Sequence, residues 1–190
     1  MIPIRAALAA LLIGLPTLAF AAGGEGGEDS TGPASRLNIV MNLYVGGLGL
    51  GKVDLDATIR GNQYSAVSNL ETSGIANAFW QARIQATSTG MIDGNRFQPS
   101  LYDSHTIKKD SKQQVSLTYE TDGNIRTFAD PVYSLSQHPI TPEEQKGTYD
   151  PVSAILYVAS GLGADAKNPC TVLAPVFVGR RRYNIEIKKE

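Results

Sequence analysis

Apolar and polar residues alternate with a period of two along five stretches of the chain. This alternation is typical of a β-strand that has one buried face and one solvated face. Five such strands predict a mostly β protein that contains a large antiparallel sheet. The stretches cover residues 37–45, 53–60, 80–87, 115–120 and 183–188.

Dipeptides that favour tight turns separate these apolar stretches. Gly61-Asn62, Asp93-Gly94 and Asp122-Gly123 supply the positive φ angles that hairpin turns need. Strands joined in this way form a meander, and a long twisted sheet curls instead of staying flat. We therefore predict a large antiparallel meander curled into an open barrel or spiral. The glycines within residues 47–51 miss the dinucleotide-binding spacing and precede a strand, which indicates a bend or bulge.

One short helix is predicted near residue 150, packed on or in the sheet. Asp150 is suited to cap its N-terminus, Pro151 to occupy its first position, and Gly161 to end it. Apolar residues repeat along one face of this segment, which favours packing against the sheet. Residues 134–149, which precede it, are expected to form a long ordered loop.

The first 21 residues have the pattern of a cleaved secretory signal peptide. Arg5 is followed by an apolar segment at 6–15, and residues 19–21 read Ala-Phe-Ala, a small-x-small cleavage site. A membrane anchor is the alternative, but this apolar segment is shorter than the ~20 residues of a spanning helix and Pro16 interrupts it. We therefore expect an exported protein with no transmembrane segment.

Composition and charge narrow the expected partners. Residues 22–36 are rich in Gly, Ser and acidic residues and predict a flexible linker, so residues 37–190 remain as a single β-rich domain. A formal net charge of −1 gives no general attraction for nucleic acid. Cys170 is the only cysteine in the sequence. It could be a buried apolar residue, a free thiol, one half of an intermolecular disulfide, or one half of a disulfide whose partner is missing from this chain.

Motifs for catalysis or metal binding are weak, and we expect neither an enzyme nor a cofactor. The chain has no Gly-x-Ser-x-Gly or Ser-x-x-Lys sequence. Ser153 lies near the start of the predicted helix, where serine is a common residue beside an Asp cap. The two histidines, His105 and His138, lack further ligands at metal-binding spacing, so no metal site is predicted.

Four residues are the candidates for ligand binding. Arg180 and Arg182 belong to the only basic cluster, and alternation would place both on one face of a strand, where a guanidinium can grip phosphate or a lipid headgroup. Phe79 and Trp80 lie at a strand whose inner face could enclose an apolar cavity. Solvated strand charges and ordinary core packing are the alternatives for the two pairs.

Several segments occur in an order that resembles a known family. They include Thr72-Ser73-Gly74-Ile75, Asp150-Pro151-Val152-Ser153-Ala154, Pro169-Cys170 and Gly179-Arg180-Arg181-Arg182-Tyr183. The chain resembles, over residues 37–190, the exported bacterial envelope proteins of domain-of-unknown-function family 3108. The resemblance implies a curled β fold in the Gram-negative envelope and no assigned activity. It also implies that a cysteine at the position of Cys170 often pairs with a second one near the C-terminus, which this sequence lacks.

Two functions from different classes follow as hypotheses. The first is a non-catalytic binding module or carrier for an apolar or lipid-like ligand, which requires an apolar cavity that opens between sheet and helix. The second is a structural envelope-maintenance protein that acts through protein or peptidoglycan contacts and has a packed core.

Overall fold

The computed structural model describes residues 33–74, 77, 81–134, 139–162 and 171–187. The predicted signal peptide, and the predicted linker up to residue 32, lie outside these residues. The binding candidates Phe79 and Trp80 and the single cysteine, Cys170, also lie outside them. The first strand begins at Ser35, so the last two residues that we assigned to the linker are part of the sheet.

Seven strands form one antiparallel sheet in which each strand pairs with the next along the chain. This arrangement confirms the predicted meander. The edge strands β1 and β7 do not pair with each other, so the sheet stays open. The strands are β1 (Ser35–Val45), β2 (Leu48–Arg60), β3 (Gln63–Thr72), β4 (Ala82–Asp93), β5 (Arg96–Lys108), β6 (Ser111–Tyr119) and β7 (Ile125–Asp130).

Glycines with positive φ form the turns of the meander, as the dipeptides predict. Gly61 has φ 56°, Gly94 has φ 58° and Gly123 has φ 83°. The glycine-rich stretch at 46–51 contains the β1–β2 turn, and the register of the two strands shifts between Leu43 and Tyr44. The predicted bend or bulge is thus confirmed.

Two helices follow the meander. The longer, α2 (Pro151–Ser160), is capped by Asp150 and ends at Gly161, which adopts the left-handed conformation with φ 67°. The helix predicted from the sequence is therefore confirmed. The loop predicted over residues 134–149 contains a further short helix, α1 (Pro142–Gln145), which is held by a capping box between Thr141 and Glu144. Neither helix is long and apolar enough to cross a membrane.

A separate hairpin closes over the sheet and corrects one prediction. Strands β8 (Val172–Phe177) and β9 (Arg182–Ile187) pair through a turn in which the Val178 amide donates to the Arg181 carbonyl at 3.1 Å. Gly179 lies in this turn with φ 84°. Because the chain reverses there, Arg180 does not share a strand face with Arg182, and the prediction that it does is wrong.

The inner face of the sheet packs against α2 and β8. Small residues line up across its central strands, with Ala57 opposite Ala66 and Ala66 opposite Ser88. They leave room for larger side chains that approach from α2 and the hairpin, such as Leu156 and Phe177, which are fully buried. The outer face is solvated and mostly polar, as the alternation predicts, but it also exposes large apolar side chains such as Val67, Leu101 and Phe128.

Candidate ligand-binding site

A cavity of about 330 Å³ lies between the inner face of the sheet, α2 and the β8–β9 hairpin. Its lining contains apolar side chains and neutral hydroxyl or amide groups but no charged residue. The residues are Val53, Ser68, Leu70, Ile84, Ala86, Tyr102, Ser104, Thr106, Gln113, Val115, Tyr133, Pro151, Val152, Ile155, Val178 and Tyr183. Its volume is at the small end of the range of ligand pockets, about 300–1,000 Å³.

The cavity exists because small side chains form its floor. Ser68, Ala86 and Ser104 lie opposite one another on β3, β4 and β5. The α2 residues Val152 and Ile155 form part of the opposite wall. Three short side chains in a row do not fill the space beneath a helix, so a gap remains between the two layers.

The lining of the cavity is partly accessible to solvent. The floor residues Ser68, Ala86 and Ser104 are buried. Leu70 and Ile84 on the sheet and Ile155 on α2 are half-buried, so the cavity is not sealed from solvent.

The tyrosines of the cavity wall are neutral hydrogen-bonding groups. Burial raises the pKa of Tyr102, and burial also raises the pKa of Tyr183. Both hydroxyls therefore keep their protons at neutral pH. The Tyr133 hydroxyl donates to the Val178 carbonyl at 3.4 Å, which ties the loop after β7 to the hairpin turn. A wall of this kind suits an apolar ligand that carries few polar atoms.

A buried polar cluster anchors α2 beside the cavity. Asp150 Oδ1 accepts from the backbone amides of Val152 and Ser153, both at 2.9 Å. Its Oδ2 accepts from the hydroxyls of Ser153 at 2.6 Å and of Ser88 at 2.9 Å. The Tyr64 hydroxyl lies 2.7 Å from Ser153 Oγ. These bonds join the start of α2 to strands β3 and β4.

The cluster is built as a structural anchor. Asp150 and Ser153 have no exposed surface, so no substrate reaches the serine hydroxyl, which already donates to the carboxylate. Burial raises the pKa of the Asp150 carboxyl, against the opposing effect of its hydrogen bonds from Ser153, Ser88 and Val152. Ser153 thus fits the interpretation of a first-turn residue beside an Asp cap.

A smaller cavity of about 220 Å³ adjoins the first, and one arginine is among its lining residues. Tyr133 lines both cavities, and the neighbouring residues Val178 and Gly179 line one each. Arg180 lines the smaller cavity with its Cζ atom 5.8 Å from the centre of the Tyr133 ring. Of the two predicted arginines, Arg180 therefore lies at a cavity, whereas Arg182 is exposed at the start of β9 and lines neither.

The outer face of the sheet carries a polar cluster that sequence reasoning missed. Asp103 accepts from Ser116 and Gln114, and its Oδ1 lies 2.8 Å from His105 Nε2. Although partial burial opposes the shift, these bonds and His105 hold the pKa of the Asp103 carboxyl below its usual range. Ser116 donates to the carboxylate and not to the imidazole, so the contacts differ from those of an activated serine. The described residues contain no group of three potential metal ligands.

Fold and cavity together define a mostly β protein in which an open antiparallel meander packs against a helix beside a small apolar pocket. The chain belongs to the family described as a protein of unknown function, DUF3108, whose model matches residues 40–190. No curated protein and no solved structure matches the chain.

Proposed function

We propose that this protein is a non-catalytic binding module or carrier for an apolar or lipid-like ligand in the periplasm. The observation that supports this function is the cavity between the sheet and α2, which has apolar walls, neutral polar groups and an opening. The periplasmic location rests on the signal-peptide pattern of residues 1–21.

The lining argues for binding and against a packing defect. A packed core has few voids larger than a water molecule. Here a space of about 330 Å³ lies between the sheet, α2 and the β8–β9 hairpin, and lining residues such as Leu70 and Ile84 are partly accessible to solvent. Burying an apolar ligand there gains about 25 cal/mol for each Å² of apolar surface removed from water.

A neutral fluorescent probe, N-phenyl-1-naphthylamine, tests the proposal with a variant that fills the cavity. The floor residue Ala86 is replaced in A86L, which is expected to weaken probe binding at least tenfold. Because the added carbons enter empty space, the melting temperature should stay the same or rise. The control is T87L, which changes the next residue, on the exposed outer face, and is expected to bind the probe like the wild type.

Probe binding and thermal stability together distinguish a ligand carrier from a structural protein with a packed core. If the interior is packed, the wild type does not bind the probe, and A86L loses about 1–3 kcal/mol through overpacking. That result would favour the structural envelope-maintenance role, in which protein or peptidoglycan contacts carry the function.

A further inference from the structure

Arg180 lies next to an apolar cavity and has no acidic partner among the described residues. None of the salt bridges between described side chains includes it. Its contact is with the ring of Tyr133, which also lines the larger cavity. Arg180 is half-buried, so water screens its charge less than that of an exposed arginine and it attracts an anion more strongly.

The turn that carries Arg180 is held against the sheet. A Cβ atom on Gly179 would lie 2.9 Å from Val115 Cγ1 and 3.0 Å from Thr127 Cγ2, so the backbone approaches the inner face more closely than other residues allow. Gly179 also has φ 84°, which favours glycine. The close approach fixes the base of the Arg180 side chain beside the cavity before any ligand binds.

We propose that the two cavities together bind a single-chain amphiphile that ends in a carboxylate. The alkyl chain occupies the uncharged space between the sheet and α2, and the carboxylate binds the guanidinium of Arg180. This inference rests on the proposed function, which it deepens by naming the ligand class.

The volume of the larger cavity and the charge of Arg180 favour a single-chain carboxylate over other amphiphiles. The larger cavity, about 330 Å³, suits one alkyl chain better than the two chains of a phospholipid. The smaller cavity has a single cation among its lining residues, which balances a single negative charge. A guanidinium donates two parallel hydrogen bonds to a carboxylate, and such charge-assisted bonds are about twice as strong as neutral ones.

Competition between matched ligands tests the inference on the whole protein as it is isolated from cells. Laurate and dodecanol have the same chain length and differ in the charge of the head, and each is used to displace N-phenyl-1-naphthylamine. For the wild type, laurate should bind about tenfold more tightly than dodecanol. In R180Q this preference should disappear while dodecanol binding is kept. The matched control R181Q changes the exposed neighbour and should keep the preference.

Each other outcome has a defined meaning. Equal binding of laurate and dodecanol by the wild type, or an unchanged preference in R180Q, would overturn the carboxylate site and leave the binding function intact. Tighter, Arg180-dependent binding of dodecyl phosphate than of laurate would overturn the choice of head group. Failure of the wild type to bind the probe or any of these compounds would overturn the proposed function itself. A thermal melt of each variant checks that it is folded.

Discussion

Replacing Asp150 by alanine removes the acceptor on which the start of α2 depends. The carboxylate accepts two backbone amides and two hydroxyls and has no exposed surface. In D150A the hydroxyls of Ser88 and Ser153 still have each other, at 2.8 Å, and Tyr64. The amides of Val152 and Ser153 lose their acceptor within a buried site.

The expected cost follows from these contacts. Each buried amide left without a partner costs about 1–3 kcal/mol, and the loss of an N-cap alone costs typically ~1 kcal/mol. Because the two effects overlap, we expect D150A to lower the free energy of unfolding by about 3–5 kcal/mol. For a chain of this size, each kcal/mol lowers the melting temperature by roughly 2–4 °C.

Urea and thermal unfolding, followed by circular dichroism, measure this loss. The matched control is D54A, because Asp54 makes a partly exposed ion pair with Lys52 on the outer face, where a loss of about 1 kcal/mol or less is expected. A D150A variant that is no less stable than D54A would refute the assignment of Asp150 as the anchor of α2.

Three further predictions concern the pH dependence of the Asp150 anchor, the hydroxyl of Tyr119 and the close approach at Gly90. Because burial raises the pKa of Asp150 above its unfolded value of about 3.9, its contribution to stability is full at lower pH and declines as the pH rises toward the folded pKa. Above pH ~4, the unfolding free energy of the wild type should therefore fall relative to that of D150N, by up to about 1.4 kcal/mol for each pH unit. Urea titrations at several pH values measure this difference, and a difference that does not change with pH would contradict the prediction. The buried Tyr119 hydroxyl has no hydrogen-bond partner among the described residues, so Y119F should stabilise the protein by about 1 kcal/mol. Y64F, which removes a bonded hydroxyl, should destabilise it by about as much; equal melting temperatures would refute the contrast. A Cβ at Gly90 would lie 2.7 Å from the Tyr64 hydroxyl, so G90A should cost about 1–3 kcal/mol, while G49A, whose nearest atom is 3.9 Å away, should cost less than 1 kcal/mol; similar denaturant midpoints would be the contrary result.

The meander could be predicted from sequence because its signals are local. Alternation within each strand and the turn glycines at Gly61, Gly94 and Gly123 act over a few residues. The cap at Asp150 and the glycine that ends α2 are local in the same way. From these local features, strands of the meander, the pairing of neighbouring strands and helix α2 could be predicted.

Strand β8 (Val172–Phe177) lacks such a signal. All six of its residues are apolar, including the exposed Leu173, so the sequence does not alternate, and Pro175 argues against a regular strand. Its place in the fold depends on backbone hydrogen bonds with Tyr149, which accepts from Phe177 and donates to Pro175. These contacts join segments that are 26 or more residues apart.

The candidate site depends on contacts of the same long-range kind. Tyr133 and Val178 meet across 45 residues, and Ser88 meets Asp150 across 62. The basic cluster identified Arg180 as a candidate, but the period-two pattern predicted that it lies on a strand. The prediction failed because the pattern does not show that the chain reverses at Gly179. A cavity is the space that such distant segments leave between them, and no short motif encodes it.

Native mass spectrometry of the protein purified directly from cells, followed by extraction and identification of small molecules, tests the binding function most directly. We predict that wild-type protein carries an extra mass of one single-chain amphiphile and that A86L does not. Wild-type protein that is isolated without a bound molecule, and that takes up none when laurate or dodecanol is added, would contradict it.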